Sequence, residues 1–146
     1  MSAALLYHPE AYTVAGPRLM GRHAAGDSFL RGFLAYAHSD TWWIQVQRPE
    51  DARDFVARIR NCDREKPVRV VQAKNLPVLR GPGALYVPGP TLGECAWQRA
   101  WYGPAGWSLC GITHTTASAG AMDALVDLTT APVESWDALI CTSQAV

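Results

Sequence analysis

The 146-residue sequence predicts an α/β fold of three layers, built on an open, mainly parallel sheet of about six strands. Short apolar segments, such as residues 107–112 and 138–141, end abruptly at polar residues, which is typical of buried parallel strands. Segments with helical periodicity lie between them and follow residues that cap helices. Strand and helix therefore alternate along the chain, and this alternation predicts a Rossmann-like arrangement.

Composition predicts that residues 1–146 form a single globular domain, because 49% of the residues are hydrophobic and only 18% are charged. Thirteen basic and thirteen acidic side chains cancel, so no long-range field favours binding to nucleic acid. The first ten residues do not show the basic and long apolar pattern of a secretory leader, and no window reaches about 18 apolar residues, so membrane association is not evident. We expect a cytoplasmic protein.

The four cysteines predict buried free thiols rather than a disulfide framework or a zinc site. They are widely and unevenly spaced, and no two of them form a CxxC pair. The histidines at positions 8, 23 and 38 are likewise too scattered to indicate a metal site. We predict no metal ion and no cofactor.

The first strand is predicted over residues 3–7, and a glycine-rich segment follows it. A helical pattern then begins near Phe29, with Asp27 or Ser28 as the expected cap of its first turn. Glycines in this position let backbone N–H groups approach an anion, or they only permit tight turns and close helix packing. The glycines concerned are Gly16, Gly21 and Gly26. Their spacing is not GxGxxG, which weakens the case for a nucleotide-dependent oxidoreductase.

The middle of the chain predicts further strands at residues 41–47, 68–71 and 84–87. A helix is predicted after Pro49, and another is predicted from a Thr91 cap to about Trp101. The Pro-Gly-Pro segment that contains Gly89 forms a rigid connection after the fourth strand. The six tryptophans are expected to be packing residues.

The strand at residues 107–112 ends at His114, Thr115 and Thr116, after which Ser118 is placed to cap a helix. The last strand ends in the same way, at Thr142 and Ser143. In open parallel sheets ligands bind beyond the carboxyl ends of the strands, so His114 is a candidate functional residue. The structural alternative is a histidine that only forms a stabilising hydrogen bond. The sequence ends where another helix would be expected, so we predict a fragment with an uncovered apolar sheet face.

Two segments resemble the amino-terminal domain of bacterial glycosyltransferases with the two-domain GT-B architecture, most closely family four. They are GITHTTASAGAMDALVDLTTAPVESWDALICTSQAV at residues 111–146 and YHPEAYTVAGPRLMGRHAAGDSFLRGF at residues 7–33. The resemblance implies the acceptor-side half of an enzyme that transfers a sugar with retention. A carboxyl-terminal domain, which this sequence lacks, would hold most of the nucleotide-sugar donor. We therefore expect the chain alone to be inactive.

The resemblance also implies roles for particular residues. His114 would lie beside the transferred sugar as the catalytic residue, and the glycine segment would approach the donor diphosphate or the sugar or glycan acceptor. Arginine pairs well with phosphate oxygens. The candidate substrate-binding residues are His8, Gly16, Arg18, Gly21, Arg22, Gly26, Gly89, Thr115, Thr116 and Ser143. The alternative is a non-catalytic α/β module that binds a small phosphorylated or sugar ligand, or a partner protein, at the same strand ends.

Overall fold

The computed structural model describes residues 2–14, 21–60, 66–114 and 116–144, without the side chain of Arg22. Six strands form one open sheet in which every strand is parallel to its neighbours, in the order β3-β2-β1-β4-β5-β6. The strands are β1 (Ala4–Leu6), β2 (Trp42–Val46), β3 (Val68–Gln72), β4 (Ala84–Tyr86), β5 (Ser108–Thr113) and β6 (Ala138–Cys141). The predicted three-layer α/β fold is confirmed.

Helices cover both faces of this sheet. The α-helices are α1 (Gly21–Tyr36), α2 (Pro49–Ile59), α3 (Leu92–Ala100) and α4 (Ala119–Asp127), and 3₁₀ helices lie at Pro9–Tyr12, Ala73–Arg80 and Pro104–Gly106. Apolar side chains of α1 and α2 pack in one buried cluster, while those of α3 and Ala73–Arg80 pack in another. None of the helices in the described part of the chain is both long and apolar enough to span a membrane.

Successive strand residues point into different layers, as the pleat of a strand requires. In β1, Ala4 belongs to the cluster beneath α3, whereas Leu5 belongs to the cluster beneath α1 and α2. On the α1 face Phe29 stacks on Tyr86 with ring centroids 3.9 Å apart. Both sides of the central strands are therefore buried, which explains their nearly continuous apolar sequence.

The direction in which the chain adds strands reverses at β1. Ala4 of β1 lies beside Trp43 of β2 on one side and beside Leu85 of β4 on the other. The connection from β3 to β4 passes through Ala73–Arg80 and crosses the sheet. Ligands commonly bind at the carboxyl edge near such a reversal, so the loops after β1, β4 and β5 define the region of interest.

The start of α1 differs from the prediction. The helix begins at Gly21, so Asp27 and Ser28 lie within it and cap nothing; Asp27 instead pairs with Arg31 at 3.1 Å. Gly26 also lies inside the helix, and a Cβ there would be 1.9 Å from the carbonyl oxygen of Ala11. Gly26 therefore permits close contact between α1 and the 3₁₀ helix Pro9–Tyr12, and it does not belong to a ligand-facing loop.

Three tryptophans are not packing residues, contrary to the prediction. Trp97, Trp101 and Trp136 expose 55%, 87% and 48% of their surface, whereas Trp42 and Trp107 are buried. Because α3 turns Ala96 and Arg99 towards the core, Trp97 and Trp101 lie on its opposite side. Thr91 is at the N-cap position of α3, as predicted, but its side chain makes no capping hydrogen bond.

The cysteines are only partly as predicted. Among the described residues Cys95, Cys110 and Cys141 are free thiols, and Cys62 lies outside that range. Cys95 is buried, Cys110 is half-buried and Cys141 is exposed. Cys141 is exposed because it lies in β6, the last strand of the sheet, where little packs against it.

Candidate ligand site at the carboxyl edge

A pocket of about 320 Å³ lies beyond the carboxyl ends of β4 and β5. Three segments form it: the connection after β4, the end of β5, and the first turn of α4. Its lining residues are Pro88, Gly89, Pro90, Thr91, Thr113, His114, Ser118, Gly120 and Ala121. The pocket thus occupies the region where ligands bind in sheets of this type.

Gly111 allows the connection after β4 to lie directly over β5. The amide of Ile112 donates to the carbonyl oxygen of Gly89 at 3.1 Å, which holds the connection in place. A Cβ at position 111 would be 2.8 Å from the Gly89 oxygen and 2.9 Å from Cγ of Leu92. Only glycine leaves this space, so the glycine inside the apolar segment of β5 is needed to form one side of the pocket.

Thr113 connects the pocket to the last strand. Its side chain is buried, and its carbonyl oxygen accepts a hydrogen bond from Oγ1 of Thr142 at 3.2 Å. Thr142 directly follows β6, so this bond holds the carboxyl ends of β5 and β6 together. The polar residues at the ends of β5 and β6 therefore stabilise the arrangement of the site.

The first turn of α4 contributes to the lining of the pocket together with the Pro-Gly-Pro connection. Oγ of Ser118 accepts a hydrogen bond from the amide of Ala121 at 3.2 Å, which confirms Ser118 as the predicted helix cap. Gly120 and Ala121 line the pocket. The partial positive charge of a helix N-terminus is consequently directed at this space.

Among the lining residues that the structure describes, His114 is the one that titrates near neutral pH. It is half-buried, and burial lowers its pKa from the usual 6.5. Burial therefore favours the neutral imidazole, in which one ring nitrogen can donate a hydrogen bond and the other can accept one. Such a group can bind a hydroxyl, a phosphate oxygen or a leaving oxygen without bringing a fixed charge into the pocket.

The structure brings together two of the predicted site residues, His114 and Gly89. Thr116 and Ser143 are exposed in the loops after β5 and β6, and His8 is exposed after β1; none of the three lines the pocket. Gly21 begins α1, and Gly26 packs on Ala11 as described above. Gly16, Arg18, Thr115 and the side chain of Arg22 lie outside the described residues.

Several lining residues were not predicted as part of a site. They are Thr91, Thr113, Ser118 and Gly120, of which the sequence predicts Thr91 and Ser118 only as helix caps. The signal that identifies them is their position at the end of β5, or in the connection or first helical turn that follows β4 or β5, because those two strands are neighbours. Proximity of the two strands follows from the sheet order, which the sequence pattern does not specify.

Two larger cavities flank α2. One, of about 600 Å³, lies at the carboxyl ends of β2 and β3, and its lining includes Arg48 and Lys74. Arg48 pairs there with the buried carboxylate of Asp51 at 2.8 Å, so its charge is largely neutralised. The other, of about 400 Å³, lies at the start of β3 beside Arg60 and Lys66. Neither cavity has histidine in its described lining, and the His114 pocket is the better candidate.

The described residues include no group of three or more histidine, cysteine or acidic side chains that could hold a metal ion. Comparison with known proteins identifies no relative, because no protein-family model, no curated protein and no solved structure matches the chain.

Proposed function

We propose that this chain binds a small phosphorylated or sugar ligand in the His114 pocket. The observation that carries the proposal is the position of the half-buried His114 in a cavity that also receives the first turn of α4. Typical ligand pockets range from about 300 to 1,000 Å³, and this pocket is within that range.

The chemistry of the lining favours a neutral or anionic ligand. Its polar side chains are three hydroxyls and one imidazole, and none of the lining residues that the structure describes carries a carboxylate. The α4 N-terminus adds partial positive charge. Hydroxyls, imidazole and helix amides together suit sugar hydroxyls and phosphate oxygens, whereas a cationic ligand would find no countercharge among the described lining residues.

The volume limits the part of the ligand that is enclosed. At about 320 Å³ the pocket is at the lower end of the range of about 300 to 1,000 Å³ for ligand pockets. This space suits a monosaccharide or a sugar phosphate. A nucleotide sugar would place one end in the pocket and extend the remainder beyond it.

Calorimetric titration tests this proposal. Inorganic phosphate, glucose, glucose 1-phosphate, uridine diphosphate and uridine diphosphate glucose are titrated into the wild-type chain, His114→Gln and His38→Gln. His38 is exposed after α1 and serves as the control. We expect binding of at least one ligand, a loss of tenfold or more in His114→Gln, and wild-type affinity in His38→Gln. Absence of binding to all five ligands, or equal effects of the two substitutions, would contradict the proposal.

A more specific function follows from the resemblance to the acceptor-side domain of retaining glycosyltransferases. We propose that the pocket takes the acceptor or the transferred sugar, with His114 hydrogen-bonded to a group on which charge develops. The supporting observation is that His114 lies in a pocket at the carboxyl edge of a parallel sheet, where the resemblance implies it should be. Removing one such hydrogen bond typically lowers kcat about 10²- to 10³-fold.

The test is nucleotide-sugar turnover by the gene product that carries this sequence, with and without His114→Ala. We expect turnover to fall by about two to three orders of magnitude while the circular dichroism spectrum is unchanged. Wild-type turnover in His114→Ala would exclude the catalytic role. Ligand binding, as measured by calorimetry, would then remain the proposed function of the pocket.

A further inference from the structure

The cavity of about 600 Å³ at the carboxyl ends of β2 and β3, which we call the β3 cavity, lies where α2 leaves part of the sheet uncovered. Ile44 of β2 and Val70 of β3 are directly paired and point to the same face. Ile44 is fully buried, whereas Val70 is 43% exposed. The α2 residue in the lining is Ala52, whose side chain is a single methyl group. An aliphatic surface of β3 is therefore open beside the helix.

The lining of the β3 cavity has an apolar part and a polar part. Val46 and Val70 lie in the strands, and Ala52 lies near the start of α2. The polar residues end a strand or follow one. They are Gln47, Arg48, Gln72 and Lys74. Because β2 and β3 are parallel, the polar groups lie together at the carboxyl edge, and the apolar groups lie along the sheet beneath them.

Arg48 gives the β3 cavity hydrogen-bond donors but little net charge. Its Nε and Nη2 atoms donate to the carboxylate of Asp51 at 3.3 and 2.8 Å, and Asp51 is buried. Two exposed carboxylates, Glu10 and Glu50, also act on Arg48, and neither of them lines the cavity. Nη1 of Arg48 donates to none of the described residues. The guanidinium is therefore fixed by Asp51 while one of its nitrogens is available to a ligand.

Lys74 supplies the uncompensated charge of the cavity. It is exposed at the start of the 3₁₀ helix that follows β3, and it forms neither a hydrogen bond nor an ion pair with any of the described residues. Arg48 and Lys74 are positive and Asp51 is negative, so one positive charge remains. A singly charged anion balances it.

We propose that the β3 cavity is a second ligand site, which binds a monocarboxylic acid with an aliphatic body. The carboxylate accepts hydrogen bonds from Lys74 and from Nη1 of Arg48, and the aliphatic body covers Val70. The described lining contains no aromatic ring on which a nucleobase would stack. A phosphate monoester carries nearly two negative charges at pH 7, which exceeds the charge available. The site shares no described lining residue with the His114 pocket.

The spacing of residues along β3 indicates the length of the aliphatic body. Val70 lies two residues before Gln72, the last residue of the strand, which is roughly 7 Å at about 3.3 Å per residue. Lys74 follows directly after this end. A short fatty acid such as hexanoate therefore reaches from the lysine to Val70. Each methylene group that it transfers from water into the cavity should tighten binding about fourfold.

Titration of the isotope-labelled chain, followed by the NMR shifts of its backbone amides, tests the ligand class. Acetate, butyrate and hexanoate should bind with affinities that rise about fourfold per methylene, with the largest shifts at Val46, Ala52, Val70 and Lys74. Hexanol, which has no charge, and hexyl phosphate, which has nearly two, should bind more weakly than hexanoate. Absence of hexanoate binding, shifts elsewhere in the chain, or equal or tighter binding of either analogue would overturn the proposal.

Three variants test the position of the acid group. Lys74→Met removes the charge of an exposed side chain, and we expect it to weaken hexanoate binding about tenfold. Arg69→Met is the matched control, because Arg69 is a cation of the same strand on the opposite face, where it lies over Trp43. Arg69→Met and His114→Gln should bind hexanoate as the wild type does. Unchanged affinity in Lys74→Met, an equal loss in Arg69→Met, or a loss in His114→Gln would exclude this site.

Discussion

The guanidinium of Arg99 is fully buried and meets the carboxylate of Asp137 through two nitrogen–oxygen contacts of 2.6 Å each. The same guanidinium donates to the carbonyl oxygens of Trp107 at 2.9 Å and Pro132 at 3.1 Å. Because Arg99 lies in α3 and Asp137 directly precedes β6, the pair joins the helix to the last strand of the sheet.

Asp137 is also bonded to the backbone. Its carboxylate accepts hydrogen bonds from the amides of Leu109 and Glu134, each at 2.8 Å. Burial alone would raise the pKa of Asp137, but the bonds from Arg99 and from these two amides outweigh burial and hold the pKa below its usual 3.8. Asp137 is therefore charged in the folded protein and anchors the start of β6.

Replacing Arg99 is expected to destabilise the protein strongly. Arg99→Met leaves the carboxylate of Asp137 buried without its cation, and removing one partner of a buried pair costs about 3–5 kcal/mol. Urea denaturation measures this change. Arg53 is exposed on α2, so Arg53→Met should stay within about 0.5 kcal/mol of wild type. Similar stabilities for the two variants would show that the Arg99 pair contributes little.

Two glycines near the pocket should respond to alanine in opposite ways. Gly111→Ala forces the Pro-Gly-Pro connection away from β5, because the added methyl meets the Gly89 oxygen; overpacking of this kind costs about 1–3 kcal/mol. In Gly120→Ala the added methyl meets nothing within 4 Å, and the residue lies in the first turn of α4, where alanine is the better helix former. Urea midpoints should fall for the first and not for the second. The reverse order would contradict the close approach at Gly111.

Tyr7 is expected to contribute stability through its hydroxyl. It donates to Asp54, which also accepts from Nε of Arg58 at 3.1 Å, while its ring stacks on Tyr12 with centroids 5.2 Å apart. Burial and the bond to Asp54 raise the pKa of Tyr7 well above 10. Tyr7→Phe should cost about 1.5–3 kcal/mol, as expected for a hydrogen bond to a charged group.

The control for this prediction is Tyr36→Phe, since Tyr36 is 79% exposed at the end of α1. Its thermal and urea unfolding should match the wild type. If both tyrosine variants unfold alike, the bond between Tyr7 and Asp54 does not contribute measurably.

Lowering the pH should reduce the stability of the protein, because His114 is half-buried. Its folded pKa is below 6.5 because of burial, so the unfolded chain binds more protons as the pH falls below 6.5. Stability should therefore decrease from pH 7.5 to pH 5.5, and the decrease should be smaller in His114→Gln. Urea unfolding across this range measures it. Identical pH profiles for the two proteins would exclude a shifted His114 pKa.

The fold was largely predictable because its strands are short apolar segments with clear polar ends. Residues 138–141 were predicted as a strand with the bounds that the structure has, and Pro49 and Ser118 marked helix starts correctly. The start of α1 was missed because Gly21 and the two turns after it present few large apolar side chains, so the helical pattern became visible only at Phe29.

The site was predictable only at His114 and Gly89. Residues from different connections meet there, and their meeting depends on β4 and β5 being neighbours, which local patterns do not reveal. Residue spacing alone likewise does not determine which side of a helix is buried. Trp97 and Trp101 lie on the exposed side of α3. Arg99 lies on its buried side, where it pairs with Asp137, a residue 38 positions further along the chain.

The position of β1 between β2 and β4 has a consequence for how the protein folds. Its second neighbour, β4, enters the chain roughly eighty residues later, so the centre of the sheet closes only after a long loop has been brought together. Non-local parallel pairing of this kind slows folding. During synthesis β1 has one side unpaired until β4 has left the ribosome, and an unpaired apolar strand edge is prone to aggregation.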